Sequence, residues 1–272
     1  GGALSPWLVV PLLYTVGWRG TFCVLAGLGI IWAGLWQRWF HDRPAQQPGI
    51  TGAELAEIGA GSSPARGEGL WRGLLHSRQT WLLMAMYGAY VWGSWFYFSW
   101  FPTFLVRGVG FTETQMGVLS ALPFLLGCVG NLTGGWLSDR LAARYGLKVA
   151  RCGQASLSLA LASLLILGLA FARQRAVVVI LSSLGFGVLD LMLPAAWSLC
   201  LDLGRAHAGV LTGAMNTAGL AGGFLCTVLF GYLVRETGGY RAPLCAVAAM
   251  VMASAILFAL IDPHRPVWKD DA

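Results

Sequence analysis

The sequence predicts an all-α integral membrane protein, and three observations lead to that prediction. Of the 272 residues, 57% are hydrophobic and 11% are charged, whereas charged residues make up about a quarter of a typical soluble domain. Mean hydropathy is also positive, at +0.66. Most apolar residues fall into runs that approach the roughly 20 residues of a membrane-spanning helix. Eight such runs are centred near Val10, Gly29, Trp95, Phe124, Leu161, Leu191, Gly219 and Met252.

The runs fall into two groups with a polar segment between them. Residues 1–40 hold the first two runs, and residues 80–272 hold the other six. Residues 41–79 are rich in Pro, Gly, Ser and charge, which indicates a linker between two helical bundles. One short helical patch is predicted inside this linker, at residues 52–58.

An internal repeat explains why two runs precede the linker and six follow it. Residues 1–19 align with residues 222–241, because both begin Gly-Gly, continue as an apolar stretch and end in a Gly-aromatic-Arg corner. The copies lie six runs apart, which favours two parallel repeats of six helices, as in transporters with two pseudo-equivalent halves. Convergence is the alternative, since Gly and Leu are common in membrane helices. The repeat assigns residues 1–40 to the last two helices of an N-terminal bundle, and we interpret Gly1 as a cut edge without a signal peptide.

The basic residues predict a membrane topology and exclude nucleic acid as an expected partner. Although the pI is about 9.2, the cations are spread over separate short loops and form no single patch. If residues 41–79 are cytoplasmic, 12 of the 18 Lys and Arg residues lie on that side. This asymmetry predicts an inner (plasma) membrane protein whose two ends are both cytoplasmic.

Cysteine and histidine positions predict neither a metal site nor an enzyme. The six cysteines lie in or beside apolar runs and show no disulfide or metal spacing, so we interpret them as small core residues. The four histidines fall near the ends of spans and are not clustered. We find no nucleophile arrangement, phosphate loop or dinucleotide fingerprint, and therefore predict no cofactor.

A charged segment separates the fourth and fifth runs. Residues 134–140 read Gly-Gly-Trp-Leu-Ser-Asp-Arg, and Arg144, Lys148 and Arg151 follow. Glycines that permit close approach, followed by an acid and several bases, are typical of a tight turn between two spans. The segment is therefore predicted to be a hinge between two membrane helices.

These motifs resemble the major facilitator superfamily, and within it the anion:cation symporter family. The charged segment, Gly135-x-x-x-Asp139-Arg140 with Arg144, is similar to the loop motif between helices 8 and 9. Further similarities are the turn at residues 17–22, the end of helix 7 at residues 100–105, and the pattern of helices 10 and 11 at Asp190, residues 197–204, Ala208, Gly209 and residues 213–216.

The resemblance implies a twelve-helix transporter, of which eight helices are present here, acting as a monomer. It implies alternating-access uptake of an organic anion, a sugar acid or other carboxylate, coupled to protons or sodium. Gly135, Asp139, Arg140 and Arg144 would form the gate, with Asp139 facing the start of helix 5 at or before Gly1. In the family the anion-pairing Arg and coupling acids lie largely on helices 1 and 4. Two positions depart from the family pattern and reduce polar lining on helix 11: Leu220 and Thr227.

Polar residues inside the spans are candidates for the substrate and coupling site. Tyr90, Ser94 and Tyr97 follow helical spacing together with Tyr87, and this stripe is expected to face a watery cavity. Its alternative role is an interfacial aromatic belt.

Three further candidates lie on the last helices. Trp197 and Asn216 match substrate-contacting positions of the family, and interhelical hydrogen bonding is the alternative for Asn216. Asp190 is the only acid well inside a span, which makes it the proton-coupling candidate. Its alternative is a structural hydrogen bond to a neighbouring helix.

Two other functions stay open from the sequence. A phosphate or organophosphate carrier would need buried arginines, and these spans hold none. A transporter-like sensor would bind the anion and signal through a partner, and a substantial extra cytoplasmic domain would be its expected mark.

Overall fold

The computed structural model describes residues 5–41, 44–58 and 70–268, and these residues form helices joined by short turns without any strand. The chain divides into two compact units, Gly1–Ala65 and Arg66–Ala272. The second unit begins before the predicted bundle boundary at residue 80, because a helix missed by the sequence analysis belongs to it.

The first unit contains one long helix that holds the first two predicted runs. Helix α1 spans Ser5–Trp39, and its backbone departs from helical geometry at Gly17 (φ 70°, ψ 175°). This position begins the Gly-Trp-Arg corner of the internal repeat. The guanidinium of Arg19 lies 4.3 Å from the centre of the Trp18 ring. The start of the repeat, at residues 1–4, lies outside the described residues.

The linker helix forms where it was predicted. Helix α2 spans Gly52–Ile58, and a reciprocal cap begins it: the Glu54 carboxylate accepts from the backbone N–H and hydroxyl of Thr51, both at 2.9 Å. The hydrogen bond from the Thr51 backbone, and to a lesser degree that from its hydroxyl, holds the pKa of the Glu54 carboxyl below its usual value. A single 3₁₀ turn, Pro44–Gln46, precedes the helix.

Among the described residues, the second unit contains ten further helices, which account for the other six predicted runs. Two π-helical turns, Phe104–Gly108 and Lys148–Gly153, and one 3₁₀ turn, Arg205–His207, connect them. The helices are α3 (Leu70–His76), α4 (Arg78–Ser99), α5 (Phe101–Thr103), α6 (Glu113–Leu119), α7 (Ala121–Tyr145), α8 (Gln154–Phe171), α9 (Arg175–Asp190), α10 (Leu193–Gly204), α11 (Ala208–Thr237) and α12 (Arg241–Ala259). The run centred near Leu191 is split into α9 and α10.

Length and composition make five helical stretches of the described residues candidates for crossing a membrane. Their bounds are Pro11–Trp39, Glu113–Tyr145, Lys148–Phe171, Arg175–Thr237 and Arg241–Ala259. Helix α4 is not among them, although it is 22 residues long, because its many Tyr, Trp and Gly residues lower its hydropathy. Those same residues make α4 the centre of the second unit, where it packs against both α11 and α12.

The predicted hinge at residues 134–140 is wrong in its position. Helix α7 continues through Asp139, Arg140 and Arg144, and the chain turns only at Gly146, where φ is 84°. Such a positive φ favours glycine. The earlier glycines serve packing: a Cβ at Gly130 or Gly134 would overlap backbone carbonyl oxygens of α9 and of the turn after it.

The C-terminal segment closes back onto the start of the second unit. The indole N–H of Trp268 donates to the carbonyl of Leu70 at 3.1 Å, and the backbone N–H of Val267 donates to the carbonyl of Leu203 at 3.0 Å. A Cβ at Gly73 would overlap the same indole ring. Helix α3 is thereby fixed to the chain end, 198 residues further along the sequence.

Candidate functional site

Asp190 lies at a break in the helical backbone. Helix α9 ends at Asp190 and α10 begins at Leu193, and Pro194 has no N–H to donate to the Asp190 carbonyl. The next carbonyl, that of Leu191, accepts a hydrogen bond from Nε2 of Gln154 on α8, at 3.0 Å. Gln154 is 8% exposed, so a buried side chain from a neighbouring helix satisfies a carbonyl that the break leaves without its helical donor.

The Asp190 carboxylate reaches two other helices. The hydroxyl of Tyr90 on α4 donates to Oδ1 at 2.9 Å. On α7, a Cβ at Gly127 would lie 2.9 Å from Oδ2, so only a glycine leaves the carboxylate its space. The contact with Tyr90 is an interhelical hydrogen bond, as the structural alternative for Asp190 predicted.

The tyrosine stripe of α4 is buried inside the second unit, which contradicts its predicted exposure to a watery cavity. Tyr90, Ser94 and Tyr97 are 4%, 6% and 1% exposed. The Ser94 hydroxyl donates to the carbonyl of Val91 in its own helix, at 3.2 Å. Tyr97 packs against Phe186, with ring centres 4.7 Å apart, and its hydroxyl has no hydrogen-bond partner among the described residues. The helical spacing of the stripe is correct, but Tyr90 and Tyr97 contact α9 and not solvent.

Trp197 and Asn216 are more accessible than the stripe. Trp197 on α10 is 40% exposed, and Asn216 on α11 is half-buried. The helices that carry them are joined by the buried contact between Sγ of Cys200 and Sδ of Met215, at 3.4 Å. The two candidates therefore lie on adjacent helices, and neither is buried in the core. Asn131 on α7 is half-buried as well.

An ion-pair network centred on Arg151 occupies the end of the second unit where α7 and α10 finish. Its guanidinium contacts Asp202 at 3.3 Å, Asp139 at 3.4 Å and the buried hydroxyl of Ser138 at 2.7 Å. The side chains of Arg151 and Asp202 are 13% and 24% exposed, whereas that of Asp139 is 79% exposed. Arg151 is thus held mainly by Asp202 and Ser138, with Asp139 at the edge of the network.

The other predicted gating residues lie on the same helix end. The guanidinium of Arg140 stacks over the Trp136 ring at 4.2 Å, and Arg144 is in the last turn of α7. Gly135 faces Pro194, since a Cβ there would lie 3.6 Å from the proline ring. The expected latch of Asp139 to the start of helix 5 stays a prediction, because Gly1 lies outside the described residues.

Two contributors to this arrangement escaped the sequence analysis. In the sequence Arg151 is one loop cation among several, whereas its position inside the π-helical turn Lys148–Gly153 places it between two acids. Gln154 is the one amide in a helix whose other residues are apolar or serine, and that amide is the signal that the sequence offers. Among the described residues no group of three or more His, Cys, Asp or Glu side chains is placed to hold a metal ion.

Comparison with known proteins identifies the family. The sequence model of the Major Facilitator Superfamily matches residues 1–227. A probable sulfoacetate transporter of Cupriavidus necator is 35% identical, over 100% of this chain and 64% of its own length. A probable L-galactonate transporter of Escherichia coli is 27% identical, over 99% and 61%. The chloroplastic ascorbate transporter of Arabidopsis thaliana is 28% identical, over 87% and 43%.

The chain thus spans less than two thirds of the length of these relatives. The family model covers the first unit and most of the second, from residue 1 to residue 227, and the apolar helices match a multi-pass membrane protein. The chain belongs to the Major Facilitator Superfamily.

Proposed function

We propose that this chain is part of a secondary transporter that carries a small organic anion across the inner membrane, coupled to protons, with the 41–79 linker on the cytoplasmic side. The relatives named above are called transporters of sulfoacetate, L-galactonate and ascorbate. Each of these names denotes a small oxygen-rich organic acid, and we infer the same chemical class of substrate for this protein.

The pairing of Asp190 with Tyr90 carries the proposal. Placing a carboxylate inside a membrane span has a high free-energy cost, and such residues usually serve a function. Asp190 lies where α9 ends and α10 begins. Transporters build binding sites at such helix breaks, because unpaired backbone groups and nearby side chains converge there. When Asp190 takes up a proton, its carboxylate accepts the Tyr90 hydrogen bond less strongly. Proton uptake would thereby loosen α4 from the α9–α10 break.

The substrate would bind on the accessible side of α10 and α11. Trp197 offers an apolar face against which a carbon skeleton can stack, and Asn216 offers both hydrogen-bond donors and an acceptor. Neither residue carries charge, so we expect a cation elsewhere in the protein to pair with the anion. Ser94 and Tyr97 have no role in this proposal, since they are buried in the core.

Uptake into proteoliposomes separates coupling from folding. We expect Asp190→Asn to abolish accumulation driven by a pH gradient while retaining exchange of labelled substrate across the membrane, because a side chain that cannot ionise still permits the exchange step. Tyr90→Phe should reduce accumulation roughly ten-fold, the effect of losing one hydrogen bond to a charged group. Sulfoacetate and galactonate are the first substrates to assay.

Matched variants provide the controls. Glu236→Gln and Tyr232→Phe make the same chemical changes at exposed positions on α11, and both should transport as the unchanged protein does. Gradient-driven accumulation by Asp190→Asn at the unchanged rate would exclude the proton role. Loss of both accumulation and exchange in Asn216→Ala, with Asn131→Ala unaffected, would support the proposed substrate site on α10 and α11.

A further inference from the structure

A cavity of about 510 Å³ lies where α8 and α11 end and α12 begins. Three helix ends surround it, at the opposite end of the second unit from the Arg151 network. The lining residues are Phe171, Thr237, Gly239, Arg241, Ala242 and Cys245. None of the residues proposed for substrate transport is among them.

Arg241 provides the cavity with a cation that has no acidic partner among the described residues. Its guanidinium lies flat against Phe171, with Cζ 4.0 Å from the ring centre. Within the described part of the chain, no carboxylate or carbonyl accepts from its N–H groups. A guanidinium fixed by stacking presents its edge as a fork of donors, which is the geometry that binds phosphate oxygens in pairs.

This end of the unit is also positively charged beyond the cavity. Among the described residues, five arginines and two acids lie there, although one of the arginines, Arg175, already donates to the carbonyl of Gly110 at 2.9 Å. The cations near the helix ends are Arg107, Arg173, Arg175, Arg235 and Arg241, and the acids are Glu113 and Glu236. The surplus of positive charge complements an anionic headgroup at a membrane surface.

An exposed apolar stripe leads away from the cavity along α8. Its members are three or four residues apart, so they share one helix face. They are Leu157, Leu161, Leu164, Leu167 and Phe171, which are 72%, 48%, 57%, 39% and 51% exposed. From Leu157 to Phe171 the helix rises about 21 Å, which exceeds the roughly 15 Å of hydrocarbon in one leaflet. An acyl chain can therefore lie along the stripe for its full length.

We propose that this cavity binds a phospholipid, with the phosphate on the Arg241 guanidinium and an acyl chain along the exposed leucines of α8. The charge, the stacked guanidinium and the adjoining apolar stripe together match a molecule with an anionic head and a long apolar tail. The lipid is a bound partner of the second unit and takes no part in the transport cycle. The proposal is tested by binding alone and is independent of uptake.

Cys245 serves as a reporter, because it lines the cavity and is half-buried. The full chain in detergent is titrated with dioleoylphosphatidylglycerol, and the maleimide labelling rate of each cysteine is read by mass spectrometry. We expect the lipid to slow labelling of Cys245 and not that of Cys128, which is exposed on α7. Arg241→Gln should raise the lipid concentration needed for protection roughly ten-fold.

Two further variants distinguish the role of the Arg241 charge from that of the cavity volume. Arg235→Gln removes an arginine from the same end of the unit without touching the cavity, and it should leave protection unchanged. Ala242→Phe keeps the arginine but fills the cavity, and it should abolish protection. Equal protection in Arg241→Gln and the unchanged protein would overturn the proposal. So would equal protection by millimolar inorganic phosphate, since that result would assign a site for the free anion.

Discussion

At the scale of single residues, the second unit is organised by polar side chains that each donate to a backbone carbonyl of another part of the chain. Ser163 donates to the carbonyl of Ala248 at 2.7 Å, and Ser254 donates to that of Met86 at 2.8 Å. Gln154 does the same for Leu191 at the helix break. An apolar interior has no water to replace such a donor, so each bond fixes one helix against another.

Gln154→Leu is expected to destabilise the second unit. The leucine fills the space but leaves the Leu191 carbonyl buried without a donor, which costs about 1–3 kcal/mol. The free energy of unfolding, measured by titration with sodium dodecyl sulfate, gives the difference. Ser158→Ala on the same helix is the control, since that hydroxyl bonds only to the carbonyl of Ala155 within α8. Equal stability of the two variants would show that Gln154 does not stabilise the break between α9 and α10.

At the scale of helices, the sequence predicts the positions of the elements more accurately than the roles of individual residues. The eight runs, the α2 patch and the corner at Gly17 all follow from local chemistry, because apolar length, capping and glycine conformation are properties of neighbouring residues. The turn after α7 was misplaced because a glycine that packs and a glycine that turns look alike in sequence. The partner of Asp190 could not be predicted either, since Tyr90 lies 100 residues away.

The close packing of α7 on α9 gives a prediction for glycine substitutions. A Cβ at Gly130 or Gly134 would meet carbonyl oxygens of the α9 backbone and of the turn that follows it, atoms that cannot rotate aside. We expect Gly130→Ala and Gly134→Ala to lower stability by about 1–3 kcal/mol each, seen as a lower thermal unfolding midpoint in detergent. Gly209→Ala on α11 meets no atom within 4 Å and should leave the midpoint within error. A normal midpoint for Gly134→Ala would contradict the packing role.

At the scale of the whole molecule, the second unit carries different chemistry at its two ends. One end holds the Arg151 network, where cations are paired with acids, and the other holds Arg241 with a cavity beside it. The apolar helices between them match the multi-pass membrane proteins of the family. The Arg151 network, with its paired charges, is thus separated from the cavity at which we propose that a lipid headgroup binds.

Two aspartates of the Arg151 network should differ in their effect on stability. Asp202→Asn removes the more buried partner and leaves a nearly buried guanidinium underpaired, so we expect a loss of about 1–3 kcal/mol. Asp139→Asn removes an exposed partner, and surface pairs contribute about 0–1 kcal/mol. Unfolding free energies of the two variants, compared at low salt and at 1 M salt, measure this difference. A larger loss for Asp139→Asn would show that Asp139 matters for stability, and would weaken the role as a gate that the family resemblance implies.

The indole of Trp268 gives the second unit a property that none of its helices has alone. By bonding to Leu70 and lying over Gly73, it joins the segment that enters the unit to the segment that leaves it. Because of this contact, a pull exerted through the linker on α3 also acts on the segment that contains Trp268. A force that would peel one helix from the edge of an open bundle must here displace both ends of the unit together.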